Sequence, residues 1–362
     1  MATRVDRVRE RMAQVGVDAL LLSLGADLPW LTGYEAMPLE RLTMLVLPAD
    51  GDATLVVPRL EAPRVEERPA DFRLRPWDET EDPVALVAGL VGGRTALAVS
   101  DRTWATFLLA LQSALPAAAW SRASAVTAPL RAVKDEDEVA ALRRAAGAAD
   151  RVAASLVAGD VPLLGRSEAE VSEDLGRRLK EEGHQRANFA IVGSGPNSAS
   201  PHHEPGGRRI GAGEAVVCDF GGTFDGYCSD ITRTVFTGPP PPGFVEVYEV
   251  VAAAQRAGVE AAAASTPAED VDRAARDVIA GAGFGKWFIH RTGHGIGMEE
   301  HEDPYLVAGN TVPLEPGNAF SVEPGIYLPG RFGVRIEDIV VVGPSGPDAI
   351  NRADHELAVV EA

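Results

Sequence analysis

The chain has 362 residues, more than one compact core usually holds, so two domains are expected. Hydrophobic residues make up 46% and aromatics 6%, which builds cores from Ala, Val and Leu and excludes a disordered or low-complexity protein. The 34 basic and 53 acidic side chains leave a net charge of -19, which excludes a nucleic-acid partner, since such binders present clustered Lys and Arg.

The opening Met-Ala-Thr-Arg-Val-Asp lacks the apolar core of a signal peptide. No later stretch reaches the roughly 18 unbroken apolar residues of a membrane span, so a cytoplasmic protein with no membrane partner is expected. Arg4 to Val15 carries Val5, Val8, Met12 and Val15 at helical spacing. Strand-like runs follow at 18–22, 44–47, 53–57 and 95–99, with a helix over Thr103 to Leu115. Residues 1–132 thus read as a small α/β domain. A new start at Asp135-Glu136-Asp137-Glu138, acidic residues ahead of an Ala-rich helix, opens a second domain, 133–362, of α+β order. Further helices are predicted at Ser167 to Glu182, Val245 to Ala264 and Ala268 to Gly281, with Gly238 to Gly243 as a rigid loop. Cys218 and Cys228 lack a second Cys or His pair for a zinc ribbon and are expected as buried reduced thiols.

Three segments carry candidate chemistry. Ala215 to Phe236 reads as two strands around a turn containing Asp225-Gly226. Pairing symmetric about Phe224 and Asp225 sets Asp219 opposite Asp230, with carboxylates about 5 Å apart. Two anions at that range require a shared proton or a hard cation; the bland alternative is that each Asp points to solvent. Thr292-Gly293-His294-Gly295-Ile296-Gly297 presents a closely approachable His, with His301 beyond it; it lacks the helix and downstream acid of a dinucleotide loop. In Val322-Glu323-Pro324-Gly325 and Val334-Arg335-Ile336-Glu337-Asp338, strand alternation puts Arg335 and Glu337 on one face, either in a site or as a surface ion pair. Four carboxylates and one imidazole suit two hydrolytic metals such as Mn, Co or Zn better than a thiolate or all-histidine site.

These residues give the chain a resemblance, over most of its length, to the pita-bread-fold metallopeptidases of the Xaa-Pro aminopeptidase and Xaa-Pro dipeptidase (prolidase) group. The resemblance implies that Asp219, Asp230, His294, Glu323 and Glu337 hold two divalent metal ions, Mn foremost. It implies substrate-facing roles for His202 and His301, with His203 an ambiguous neighbour. The first domain resembles a creatinase-like N-terminal domain, with Leu31-Thr32-Gly33 in a characteristic place, which weighs against a methionine aminopeptidase. The resemblance further implies a homodimer that cleaves Xaa-Pro bonds in small proline-containing peptides. Glu323 would be proton shuttle as well as ligand, His202 and His301 donors, and Arg335 the holder of Glu337 or a neighbouring carboxylate. The alternatives are a hydrolase of a small non-peptide amide or amidine, of creatinase or ectoine-derivative type, a metal-free binding module, and a cysteine hydrolase. Strand alternation opposes the last, because Cys218 must point away if Asp219 points in. Arg208, Arg331 and Arg335 are the candidates for capturing a product carboxylate.

Overall fold

The computed structural model describes residues 3–360; Met1-Ala2, at the start of the opening hexapeptide, and Glu361-Ala362 lie outside that range. The backbone separates into two units, Met1–Arg131 and Ala132–Ala362.

In the first unit, α1 (Arg4–Val15) begins with a capping box in which Thr3 and Asp6 satisfy each other's backbone N–H, and it ends at left-handed Gly16. There follow β1 (Ala19–Leu22), α2 (Asp27–Thr32), β2 (Met44–Pro48), β3 (Thr54–Pro58), β4 (Arg73–Trp77), α3 (Pro83–Val91), β5 (Ala96–Val99), α4 (Ala105–Ala114), β6 (Ala119–Arg122) and α5 (Ser124–Ala132). The six strands form one mixed sheet ordered β4-β3-β2-β1-β5-β6. Leu21, Met44, Val46 and Val56 pack on one face with Val87 and Val91 of α3 and Leu111 of α4, so the central strands are nearly continuous apolar runs. The weakly patterned β4 and α3 were not foreseen.

The second unit opens with α6 (Glu136–Val157), capped by Asp135 and Glu138 in a second capping box, and α7 (Glu168–Glu181), capped by Ser167. Next come β7 (Arg186–Ser194), β8 (Ala215–Phe224), β9 (Tyr227–Cys228), β10 (Ile231–Thr237), α8 (Pro242–Ala261), α9 (Ala268–Gly281), β11 (Gly293–Gly295), β12 (Glu302–Leu306), β13 (Ala319–Val322), β14 (Gly325–Leu328), β15 (Phe332–Arg335), β16 (Asp338–Gly343), β17 (Gly346–Ala349) and β18 (Val359–Val360). They build a β18-β10-β8-β7 sheet with β9 on β8, a β12-β11-β13-β16-β17 sheet, and the β14-β15 hairpin. Helix α8 starts earlier than predicted: the last residue of the proline run, Pro242, is its first residue, where a missing N–H costs nothing.

Strand alternation decides which faces do what. Cys218 and Phe220 join Val152, Leu156, Val171 and Leu175 in the core that α6 and α7 lay over one sheet. Phe320 and Val322 join Ala268 and Val271 of α9 over the other. Asp219, Ser321 and Glu323 are therefore left on the opposite faces.

The hairpin register corrects the expectation. Asp225 (φ 48) and Gly226 (φ 79) together are the two turn residues, both left-handed as a type I′ turn requires. Phe224 accordingly pairs Tyr227 and Asp219 pairs Thr232, not Asp230. The offset of two residues keeps Asp230 on the same pleat but moves it to the diagonal.

A buried ion pair ties β10 to β16: Arg233 Nη2 lies 2.8 Å from Asp338 Oδ1, with both side chains at most 1% exposed. Arg233 also donates to the Glu337 and Ala353 carbonyls at 2.7 Å. Arg233→Met is expected to destabilise by about 3–5 kcal/mol, since it strands a buried carboxylate; a fall in denaturant midpoint at constant slope would show this, and an unchanged midpoint would refute it.

Candidate metal centre

The side chains singled out in the sequence converge within the second unit. Asp219, Asp230, His294, Glu323 and Glu337 line one cavity of about 450 Å³, together with His202, His301 and Arg335. Single donor atoms of Asp230, His294 and Glu337 all lie within 4.8 Å of one another, the spacing of ligands around a single ion.

His294 sits on β11 between glycines because its neighbours leave no room. A Cβ at Gly293 would lie 1.8 Å from the Ser321 carbonyl oxygen, and one at Gly295 would lie 2.2 Å from that of Asp303. The ring Nδ1 donates to the Gly295 carbonyl at 3.2 Å; a carbonyl only accepts, so Nε2 keeps its lone pair. That lone pair faces Glu323 Oε1 at 3.3 Å and Asp230 Oδ2 at 3.6 Å. Burial, then the charge of His301, pushes the His294 pKa down to about 3, so the imidazole is neutral.

The carboxylates show the strain of their proximity. Burial raises Asp230 and Glu337 well above the usual carboxylate range, and neighbouring carboxylates push them further. Burial also pushes Glu323 up to about 7. Buried Arg335 opposes them: it pairs through Nη2 with Asp219 Oδ2, and donates to Tyr327 Oη at 2.9 Å and the Pro201 carbonyl at 3.2 Å. Its partner is thus Asp219, and no surface pair with Glu337 exists. Both side chains instead meet Thr232 Oγ1, which accepts from Arg335 Nε at 3.1 Å and donates to Glu337 Oε2 at 2.5 Å.

The remaining oxygen, Asp219 Oδ1, is the one carboxylate oxygen among the described residues buried without a hydrogen-bond partner. An orphaned anion beside three crowded carboxylates and a neutral imidazole lone pair fits a hard divalent cation.

The place of His203 is also settled. Its Nε2 lies 2.8 Å from Glu168 Oε2, away from the cavity lining, and leaves His202 as the lining member of the pair. Fully buried Glu168 also accepts from Ser194 N, Ser194 Oγ and Asn197 Nδ2 at 2.7–3.1 Å. Burial alone would raise its pKa; these donors hold it below the usual range. The thiols are no nucleophiles: burial pushes Cys218 and Cys228 up to about 12. Of the arginines named for carboxylate capture, Arg208 is paired with Glu214 and Arg331 lies exposed over the ring of Phe332, neither lining the cavity.

Sequence reading missed Thr232, Phe189, Ile191, His290 and Arg291. Thr232 had one signal, its position two residues from Asp230. Phe189 and Ile191 had only their alternation in β7, while His290 and Arg291 directly precede the Thr292-Gly293-His294 run.

A raised carboxylate pKa contributes stability that is complete below the unfolded value and is lost as pH rises through the folded one. The metal-free protein should therefore lose stability above pH 4.5, the ordinary value for Glu323. Added Mn should raise the melting temperature more at pH 8 than at pH 5, and Asp230→Asn should flatten that difference. An equal gain at both pH values would contradict the assignment.

Comparison with known proteins gives the family of both units. Residues 140–344 match the model of metallopeptidase family M24, and residues 4–133 match the creatinase/prolidase N-terminal domain. The probable dipeptidase PepE of Mycobacterium tuberculosis is 45% identical over 364 aligned positions, covering 99% of this chain and 96% of that protein. The crystal structure of dipeptidase PepE from Mycobacterium ulcerans superposes with a TM-score of 0.92 at 45% identity, covering 99% of this chain and 97% of that one. Recombinant prolidase from Thermococcus sibiricus gives 0.92 at 37% identity, with 98% and 97% covered. The chain, of pita-bread fold with a creatinase-like N-terminal domain, belongs to metallopeptidase family M24.

Proposed function

We propose that this peptidase hydrolyses Xaa-Pro bonds in small peptides, with Asp219, Asp230, His294, Glu323 and Glu337 holding two divalent ions. The observation that carries the reading is the convergence of these five donors on one small cavity that Phe189, Ile191 and Pro201 wall on its apolar side. Five carboxylates, Asp219, Asp230, Glu300, Glu323 and Glu337, line the cavity against two guanidinium groups, Arg291 and Arg335, an excess of three acidic groups and more than a single divalent ion cancels. An oxygen-rich donor set with one imidazole favours Mn, with Co and Zn as the other candidates. Such ions, when bound, lower the pKa of a shared water and make hydroxide available near neutral pH.

The chain's own residues do the rest. Glu323, whose Oε1 accepts from Ser321 Oγ at 3.2 Å, takes the proton of the attacking water and delivers it to the leaving nitrogen. His202 and His301 line the same cavity and donate to the developing oxyanion. Arg335 keeps Asp219 in place against its like-charged neighbours. A prolyl nitrogen has no N–H to offer, so its ring must be recognised by shape. Half-buried Phe189 and Ile191, two residues apart on β7 and so on one face, offer that surface. The name prolidase borne by the Thermococcus sibiricus relative supports proline specificity. A cytoplasmic homodimer, implied by the resemblance, belongs to the same reading; among the described residues no helix is long and apolar enough to cross a membrane.

Metal-stripped protein should hydrolyse Ala-Pro only after Mn, Co or Zn is restored, and Asp230→Ala should lower kcat/KM by at least about 1,000-fold. Release from Ala-Pro-Ala would extend the activity to peptide N-termini. No cleavage of either peptide by metal-loaded protein would sink the Xaa-Pro assignment.

A further inference from the structure

We propose that Glu168 and His203 act together as positioning residues for His202, fixing the backbone that carries its imidazole into the lining of the metal cavity. The inference rests on the part given to His202 in the proposed peptidase activity. It assigns a task to the second histidine of Pro201-His202-His203, which does not itself line the cavity.

His202 lines the cavity, yet it is exposed and its ring makes no hydrogen bond among the described residues. A donor to a developing oxyanion works only if its place is fixed in advance, so for His202 the backbone on either side must fix it. On one side, the Pro201 carbonyl accepts from Arg335 Nη1 at 3.2 Å, which ties it to the guanidinium that holds Asp219. On the other, His203 Nε2 donates to Glu168 Oε2 at 2.8 Å. Glu168 is a firm anchor. It is the first residue of α7, where the helix dipole favours a carboxylate, and it is fully buried. Burial alone would raise its pKa, but the donors of Ser194, His203 and Asn197 hold it below the usual range, so its bond to His203 is charge-assisted. The same carboxylate grips the start of the segment, because Oε1 accepts from Ser194 N at 2.8 Å and Asn197 Nδ2 at 3.1 Å. Glu168 therefore draws both ends of residues 194–203 to one point. Between those ends, Ser198 Oγ accepts from Gly333 N at 2.8 Å. A Cβ at Gly333 would lie 2.1 Å from the Ser198 carbonyl oxygen, so the segment rests directly on β15. His202 sits between two of these fixed points, Pro201 and His203.

The test is a double-mutant cycle on metal-loaded protein, comparing wild type, His203→Ala, His202→Ala and the double variant on Ala-Pro. His203→Ala should lower kcat by about 10- to 100-fold with KM changed less than about threefold, since His202 acts on charge that develops only in the transition state. His203→Gln, which keeps an N–H donor for Glu168, should recover part of that loss. In the His202→Ala background, removing His203 should cost less than about threefold. An equal loss in both backgrounds would assign His203 to general stability and overturn the proposal. A second readout needs no turnover. In nitrogen-15-labelled, zinc-loaded protein, the His202 ring resonances, identified by their loss in His202→Ala, should shift or broaden in His203→Ala and return towards wild type in His203→Gln. Unchanged His202 resonances in His203→Ala would overturn the positioning role, whichever peptide is cleaved. Failure to hydrolyse Ala-Pro would sink the Xaa-Pro reading alone, and the resonances would still decide the case of Glu168 and His203.

Discussion

Repulsion among Asp219, Asp230, Glu323 and Glu337 is the constraint around which the second unit is arranged. In water, four carboxylates this close would separate or screen one another. In the cavity, Asp230, Glu323 and Glu337 are pushed towards protonation, while Arg335 is held by Asp219. Such a cluster is tenable where a scaffold fixes the groups and a cation neutralises them. The unpartnered Oδ1 of Asp219 marks where the protein's own donors run out.

The scaffold answers the repulsion with rigidity. Two sheets turn their apolar faces to helices. Asp219 and His294 lie within β8 and β11, and Asp230, Glu323 and Glu337 each sit one residue beyond the end of a strand, β10, β13 and β16, which leaves the acids little freedom. The Thr232 hydroxyl fixes the distance between Arg335 and Glu337 by bonding both. Beneath it, Arg233 and Asp338 neutralise each other, with Gln255 and His355 occupying the other Asp338 oxygen at 2.9 and 2.6 Å. Buried charge thus appears in two forms a few residues apart along the chain. Arg233 and Asp338 are fully satisfied and serve structure, whereas the carboxylates of the cavity are left incomplete.

The imidazoles follow the same logic. Burial drives His294 down to about 3 and His290 down to about 4, so both rings are neutral at physiological pH. For His294, neutrality and the Nδ1 bond to Gly295 together present a lone pair to the carboxylate cluster. For His290, the Nδ1 bond to Arg291 leaves Nε2 to accept from the Tyr327 hydroxyl at 2.8 Å, linking it to the oxygen that Arg335 also reaches. The positive side of the cavity is therefore carried by guanidinium groups, whose charge does not vary with pH.

The sequence by itself determined a good deal. Local signals marked α1, α7 and α9 to within a residue or two, and the start of α6, because caps and apolar periodicity act over a few residues. The Asp, Asp, His, Glu and Glu set and its inward faces were legible because a pleated strand alternates and because close glycine flanks advertise a packed histidine. The hairpin register was not, since Asp225-Gly226 is compatible with more than one pairing until both residues are seen in the left-handed region. Nor could sequence show that Arg335 would meet Asp219, 116 positions away, or that Thr232 would join Arg335 to Glu337. The apolar wall of Phe189 and Ile191 and the place of the Arg291 guanidinium over Tyr305 also belong to tertiary structure. A side chain's partners across sheets depend on how those sheets pack, and no local preference encodes that.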